Sequence, residues 1–455
     1  MQRAGLLAVG LGCALRLHGL AVHSFWYDEA ASLAVAQAPD LGEALLGDRH
    51  PPLFFVLLRA WQAVFGTSDA ALRLLPATVG CASLVGLHVV ARRLLPPWPA
   101  IAATALFAVA PFQVWYAQEL RMYALLELGT VLALLGAVAD GRRARCVLAL
   151  VGAAVAFGSH YFGFLVPALL LPMLVLRAPG AWQREGWRQW GLPWFASVAG
   201  VLAWVPWLVV ALPRQLATPW AFQARSSARD LLELPVRWFV VLGELLPPWL
   251  VYAIAAGVAA GLARTAWAAW RGERLARAVL ASLALAAAAL LAAFVVMPPN
   301  LQPFYLIGVT PVVVLAVARG RVVPLLLAVV CLAATVVLRQ QNAKEDYRTA
   351  VAELAQHWVP GDVVVAVTGT PELLSQAGLR HYLRDRPDVL AAVRPLPDLL
   401  RALETGERTK GRVQVLLRDR PYAAPELARL QAKAQPVHTG ELRRLLRHLT
   451  FAIGR

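Results

Sequence analysis

The sequence predicts a polytopic α-helical membrane protein, with about eleven transmembrane helices and a small α/β domain after them. Three observations predict it. Hydrophobic residues make up 59% of the 455 residues and charged residues only 15%, where soluble domains carry about a quarter charged residues. Apolar runs long enough to cross about 30 Å of hydrocarbon recur along the first three-quarters of the chain. Beyond Lys344 the texture changes to dense charge and short alternating elements. Disorder is excluded, because it needs low hydrophobicity and high charge.

The runs fall near 4–22, 70–91, 98–115, 122–139, 145–158, 161–176, 192–212, 248–263, 278–297, 304–318 and 322–338. The first is long and lacks small flanking residues before Asp28, so it reads as a retained helix rather than a cleaved signal peptide. Within it, Arg16 is expected to snorkel toward the interface. The segment 30–47 has a helical pattern, and 51–66 is apolar but short and contains Arg59. Both are read as interfacial helices of a first outer loop, about 30–66.

Orientation follows from arginine. The formal net charge is +16, from 43 Lys+Arg against 27 Asp+Glu. Lys344, Lys410 and Lys433 are the only lysines, and most arginines sit between apolar runs, in alternate loops such as Arg92/Arg93 and Arg142/Arg143/Arg145. This is the pattern of cytoplasmic anchoring rather than of a nucleic-acid surface, and no nucleic-acid partner is expected. The N-terminus is then cytoplasmic, in a plasma (inner) membrane, and the C-terminal domain extracytoplasmic. The four cysteines show no CxxC spacing, so neither a disulfide framework nor a zinc site is written in them.

Residues 1–340 form the expected membrane module and 341–455 the soluble accessory domain. Short β-rich runs at Val363–Val367 and Val413–Leu417 alternate with helical patterns at Tyr347–His357, Glu372–Arg384 and Pro425–Ala434. No GxGxxG or P-loop is present, so nucleotide binding is not expected.

Candidate functional residues are polar groups that this topology does not require. Asp28 and Glu29 follow the aromatic run Phe25-Trp26-Tyr27; His50 precedes Pro51-Pro52; Glu119, Arg121 and Tyr123 close one span; His160 sits in a tight turn. Each has a plainer reading. Asp28 is also a fair helix N-cap, Glu119 and Arg121 read as ordinary interfacial charges, His50 as a turn residue and His160 as a hydrogen-bonded interface histidine. What singles them out is that all fall on one membrane face. Arg121, with Arg214, Arg225, Arg229 and Arg237 in the loop 213–247, places positive charge where it is disfavoured outside. An anionic group such as a phosphate accounts for that, as does a solvated loop helix touching headgroups.

Trp26-Tyr27-Asp28-Glu29, His50-Pro51-Pro52-Leu53, Ala71-Leu72-Arg73-Leu74, Gln118-Glu119-Leu120-Arg121-Met122-Tyr123 and His160-Tyr161-Phe162 together resemble the membrane glycosyltransferases of the GT-C superfamily. The likeness is to the branch related to protein O-mannosyltransferases and the lipid A aminoarabinose transferase. It covers roughly the first 180 residues by motif and the remainder by architecture. Many relatives open a late span with Arg-Tyr; here that place reads Pro303-Phe304-Tyr305, so a late-span arginine contact to the donor is not carried over.

The resemblance implies transfer of a sugar from a polyprenyl-phosphate donor to a hydroxyl on a glycan, lipid or protein, on the outer face and with inversion. It implies Asp28 as general base, with Glu29 or Glu119 positioning the acceptor or a cation. Arg121, His50, His160 and Tyr123 would hold the donor phosphate. Some relatives use a divalent metal; His50, Glu119 and His160 are the candidate ligands, without a diagnostic spacing. The rival classes are a transporter or flippase of lipid-linked sugars, a polysaccharide polymerase or ligase, and a non-catalytic scaffold.

Overall fold

The computed structural model describes residues 2–177, 184–217, 228–296, 302–341, 344–367, 376–405, 412–418, 424–439 and 446–453. They form two compact units: residues 1–20 with 42–341, and residues 21–41 with 342–455.

The first unit is helical, and a helix lies on each of the eleven apolar runs read from the sequence. Among the described residues, four helices are long and apolar enough to cross a membrane on their own: Asp69–Leu94, Pro248–Trp270, Arg274–Phe294 and Val322–Gln340. Two bent pairs raise this to six, Pro97–Val109 with Pro111–Ala117 (53°) and Gly186–Leu202 with Val205–Ala217 (43°). The chain is an integral membrane protein with several apolar helices.

The first bend has a definite cause, and it corrects the expectation for Arg16. Pro111 has no N–H to offer the carbonyl of Phe107, so the helix ends at Val109 and two carbonyls lose their partners. Arg16 supplies them: Nη2 donates to Phe107 O at 2.8 Å, and Nη1 to Ala108 O at 2.9 Å and Gly12 O at 3.0 Å. Its side chain is fully buried rather than snorkelling. The approach requires glycine at position 12, where an added Cβ would lie 2.9 Å from the Cα of Ala108.

Helices Tyr123–Val138 and Arg142–Ser159 form a tight hairpin. A Cβ on Gly129 would meet Ala156 N at 2.5 Å, and one on Gly152 would meet Ala133 N at 2.5 Å. Small residues thus let the two backbones touch, the usual device where lipid offers no hydrophobic drive between helices. Against this hairpin packs a buried polar chain, in which Gln113 Nε2 donates to Thr310 Oγ1 (2.8 Å) and Thr310 Oγ1 to Glu127 Oε1 (2.9 Å).

The second unit holds a four-stranded sheet, β1 Val363–Val367, β2 Arg412–Arg418, β3 Ala434–Thr439 and β4 Leu446–Ile453, in the order β1-β2-β4-β3. The β1–β2 pair is parallel and the other two are antiparallel. One face, with Val365, Val413, Val415 and Phe451, packs on helix Leu396–Glu404; the other, with Val364, Leu416 and Leu446, packs on helix Tyr347–His357. The expected helix over Glu372–Arg384 appears as Ala377–Tyr382, and 368–375 lies outside the described residues. Pro425–Ala434 splits into helix Ala424–Gln431 and the start of β3.

Asp362 is the polar hub of this unit. Its carboxylate accepts from Arg412 Nη2 (3.0 Å), Arg412 N (2.9 Å), Gln414 Nε2 (2.7 Å) and Val359 N (3.2 Å). Burial works to raise its pKa, but these hydrogen bonds outweigh it and hold the carboxyl below its ordinary value. His448, wholly buried, is pushed down to about 4 by burial against the pull of Glu353.

The segment 21–41 is pinned within the same unit. Phe25 N donates to Tyr382 Oη (2.7 Å), Tyr27 N to Glu345 Oε2 (3.2 Å), and Arg348 N to Ser24 Oγ (3.1 Å). The sequence reading had placed it with the membrane module.

Candidate active site

The turn Asp48-Arg49-His50 precedes helix Leu53–Phe65, which Pro51 and Pro52 introduce. Asp48 Oδ1 accepts from the backbone N–H of His50 (2.9 Å) and from its ring Nδ1–H (2.8 Å), closing an Asx turn that clamps the imidazole. Arg121 Nη2 faces the opposite ring nitrogen, His50 Nε2, at 3.4 Å. A carboxylate only accepts and a guanidinium only donates, so His50 carries its proton on Nδ1 and offers a lone pair at Nε2. The result is a chain of carboxylate, imidazole and guanidinium. Burial tends to raise the pKa of Asp48, but the His50 ring and its hydrogen bond, with the Arg121 charge, hold it below the ordinary value. Gln215 Nε2 fixes the turn from outside by donating to Asp48 O (2.6 Å), and Tyr161 Oη donates to Gln215 Oε1 (2.8 Å).

His160 ends the helix Arg142–Ser159 and N-caps the short helix Tyr161–Leu165, its Nδ1 accepting from Phe162 N (3.2 Å), which leaves the proton on Nε2. Its ring lies 5.5 Å from that of His50 and 5.0 Å from that of Tyr305. Burial, with the Arg121 charge nearby, holds its pKa well below the usual value, so it is neutral. Tyr123 stands in an aromatic wall, 5.3 Å from Tyr116 and 5.0 Å from Phe304, with the Arg121 guanidinium 5.9 Å from its centroid.

Arg121 also lines a narrow apolar recess whose other walls are Phe54, Leu57, Leu75, Pro76, Val79 and Leu125. One cation at the edge of an apolar slot suits an amphiphile whose tail is hydrocarbon and whose head is an anion.

The structure therefore brings His50, His160, Arg121 and Tyr123 together in the first unit. Glu119 is buried nearby in sequence, with Oε2 accepting from Trp115 Nε1 (3.1 Å). His50, Glu119 and His160 do not converge as a three-ligand metal set among the described residues.

Asp28 and Glu29 belong to the second unit. Asp28 is not the N-cap of helix Tyr27–Gln37; that place is held by Trp26, and Asp28 lies in the first turn, where a negative charge favours the helix dipole. Glu29 Oε2 accepts from Trp26 N (3.4 Å) and from Lys344 Nζ (3.1 Å), and the residue is fully buried. Its carboxylate is thus engaged in holding the start of this helix.

Of the loop arginines, Arg214 pairs with Glu43 (2.9 Å) and Arg237 with Glu233 (2.7 Å). Arg225 and the side chain of Arg229 lie outside the described residues. Sequence reasoning missed Asp48, although an aspartate two residues before a histidine in a turn is the signal for it. It also missed Gln118, whose Nε2 donates to Leu15 O (3.1 Å), Arg16 O (2.8 Å) and His18 O (2.8 Å) and so closes the first helix.

Residues 49–210 match the family model described as dolichyl-phosphate-mannose-protein mannosyltransferase. The fold is that of ArnT from Cupriavidus metallidurans. The apo structure of that protein superposes with a TM-score of 0.63 at 16% identity, over 98% of this chain and 97% of that one. Its structure bound to undecaprenyl phosphate gives 0.60 at 15%, with the same coverage. AglB from Archaeoglobus fulgidus, an archaeal oligosaccharyltransferase, gives 0.46 at 11%, over 91% of this chain and 69% of that one. No curated protein matches the chain. The resemblance to the GT-C superfamily read from the motifs is thus met by both the family model and the fold.

Proposed function

We propose that this chain transfers a sugar from a polyprenyl-phosphate donor to a hydroxyl acceptor at the outer face of the membrane, with inversion at the anomeric carbon. The observation that carries the reading is Arg121, backed by the Asp48–His50 pair, at the edge of an apolar recess. The donor is a phosphodiester with one negative charge. When its bond to the sugar breaks, the electron pair stays on the phosphate oxygen and the charge rises to two. A fixed guanidinium there favours the transition state over the ground state. His160 donates a hydrogen bond from Nε2–H to the same oxygens, His50 steadies the Arg121 guanidinium from behind, and Tyr123 walls the phosphate from water.

The acceptor oxygen attacks the face opposite the departing phosphate, and its proton passes to Asp28 as general base. Glu119 positions the acceptor, and Glu29 keeps the helix of Asp28 in place. Eleven spans with a cytoplasmic N-terminus put the C-terminal unit outside, where a lipid-borne donor would meet a glycan, lipid or protein acceptor. Undecaprenyl phosphate in the ArnT structure supports the lipid class of the donor.

A second reading of the base has its own support. His50, oriented by Asp48 at 2.8 Å, has the geometry of a base and its orienting acid. If a bound phosphate draws Arg121 toward itself, Nε2 is released for the acceptor proton.

The test is Asp28→Asn in cells lacking the native gene, with lipid-linked sugars and glycans measured by mass spectrometry. Accumulated polyprenyl-phosphate sugar and one missing modification, with normal insertion of the variant, support Asp28. Undiminished transfer shifts the base role to His50. A chain whose loss leaves every lipid-linked sugar and glycan unchanged is not a transferase.

A further inference from the structure

Outside the candidate site, three histidines from separate elements of the second unit converge. They are His357 at the end of helix Tyr347–His357, His438 on β3 and His448 on β4, each offering a ring nitrogen within 4.8 Å of the other two. The His357 and His438 rings stack at 4.4 Å, and His448 lies 5.2 Å from the first and 5.3 Å from the second. Glu353, one turn before His357, adds an oxygen 3.5 Å from His438 Nε2 and 3.7 Å from His448 Nδ1.

The backbone is arranged to make this meeting. Pro436 pairs with Phe451, whose side chain belongs to the opposite core. A regular strand would send His438 to that same face. Instead the register shifts between Pro436 and His438, which pairs with Thr450. That bulge turns His438 onto the face that carries His448.

The ring protons are set from behind. The Asp362 carboxylate accepts from Gln414 Nε2 (2.7 Å), which fixes the amide so that its Oε1 accepts from His448 Nε2 (2.8 Å) and Thr450 Oγ1 (2.8 Å). His448 therefore holds its proton on Nε2. Its Nδ1 is buried without a hydrogen-bond partner and turns toward Glu353. His357 Nδ1 lies 2.9 Å from the carbonyl of Glu353, which likewise leaves Nε2 as its lone-pair nitrogen. Two oriented lone pairs, a third imidazole and a carboxylate form a donor set whose outer hydrogen bonds select the ligating tautomers.

We propose that His357, His438, His448 and Glu353 bind one divalent zinc ion, forming a structural site that ties helix Tyr347–His357 to β3 and β4. Three imidazoles and one carboxylate make a closed tetrahedral set of the borderline donors zinc prefers. Donor atoms around tetrahedral zinc lie about 3.3 Å apart. The present spacing therefore closes by up to about 1.5 Å, which the partly exposed His438 and Glu353 can absorb while buried His448 stays fixed. This site is separate from the phosphate-binding residues of the first unit and does not depend on their assignment.

The test uses the full-length chain in detergent, purified without a polyhistidine tag, stripped with chelator, loaded with Zn²⁺ and desalted. We expect about one zinc per chain and a melting temperature raised by roughly 5 °C. Cobalt in its place should show the visible bands of a tetrahedral ion. His438→Asn should hold zinc at least about a hundredfold more weakly and lose the thermal shift, yet melt with the wild type in chelator, which shows that it folds. His438→Cys, which restores a ligand, should recover the zinc. Failure of the wild type to retain zinc overturns the proposal, as does retention undiminished by His438→Asn.

Discussion

Removing the Arg121 guanidinium should weaken phosphate binding by a predictable amount. Arg121 is 7% exposed, so water screens it little. Opposite unit charges about 4 Å apart at an effective dielectric constant near 20 attract by about 4 kcal/mol. His160 remains to share the phosphate, and truncating one partner of a desolvated charge pair costs roughly 2–5 kcal/mol. Arg121→Ala should therefore weaken undecaprenyl phosphate by about 30- to 4000-fold, and Arg121→Lys by less, since lysine keeps the charge but not the fork. The assay is lipid titration by native mass spectrometry of the detergent-solubilised protein, with undecaprenol as the control. The neutral alcohol fills the same apolar recess without needing the cation. A phosphate affinity changed less than threefold, or an equal loss for both lipids, would refute the reasoning.

The remaining predictions concern the turn, the hairpin and the polar hub. Asp48→Asn replaces a charge-assisted hydrogen bond with a neutral one, a difference of about 1–1.5 kcal/mol, so transfer should fall roughly tenfold; an unchanged rate would mean that His50 needs no carboxylate behind it. Gly152→Val drives a side chain into the backbone at Ala133 and should cost about 1–3 kcal/mol, seen as a lower melting temperature and poorer yield. For acid stability, the folded pKa of Asp362 is depressed. The stability it contributes is therefore present above the unfolded carboxylate value and lost as pH falls through the folded one. Thermal melts from pH 7 to pH 3 should show the second unit of Asp362→Asn weaker at neutral pH, with a smaller further loss in acid; parallel curves would remove Asp362 from the linkage.

Much of the helical unit was legible because burial in lipid writes long apolar runs into the sequence. What was hidden is what happens inside those runs. Pro111 announced a break, but the sequence gives no sign that Arg16, some ninety residues earlier, would satisfy the carbonyls the break exposes. In the second unit, Val363–Val367 reads as a strand because both faces are buried. Ala434–Thr439 does not, since Pro436 and the bulge at Val437 erase the alternation. At the candidate site, His50, His160, Arg121 and Tyr123 were recognisable as residue types out of place. Asp48 was passed over because its role depends on a turn geometry that a residue list does not show. Glu29 drew notice as an acid beside Asp28, and its contacts turn out to be a helix start and a lysine 315 residues away.

That last separation has a consequence for biogenesis. The ribosome makes Tyr27–Gln37 at the beginning and Lys344, Glu345 and Tyr382, which hold it, near the end. At about 5–20 residues per second, the early helix must wait some 15–60 s for its binding partners to emerge. During that interval only the translocation machinery or a chaperone can shelter Phe25 and its neighbours. Messages truncated before Lys344 should therefore yield chains whose membrane helices insert but whose segment 21–41 is open to protease.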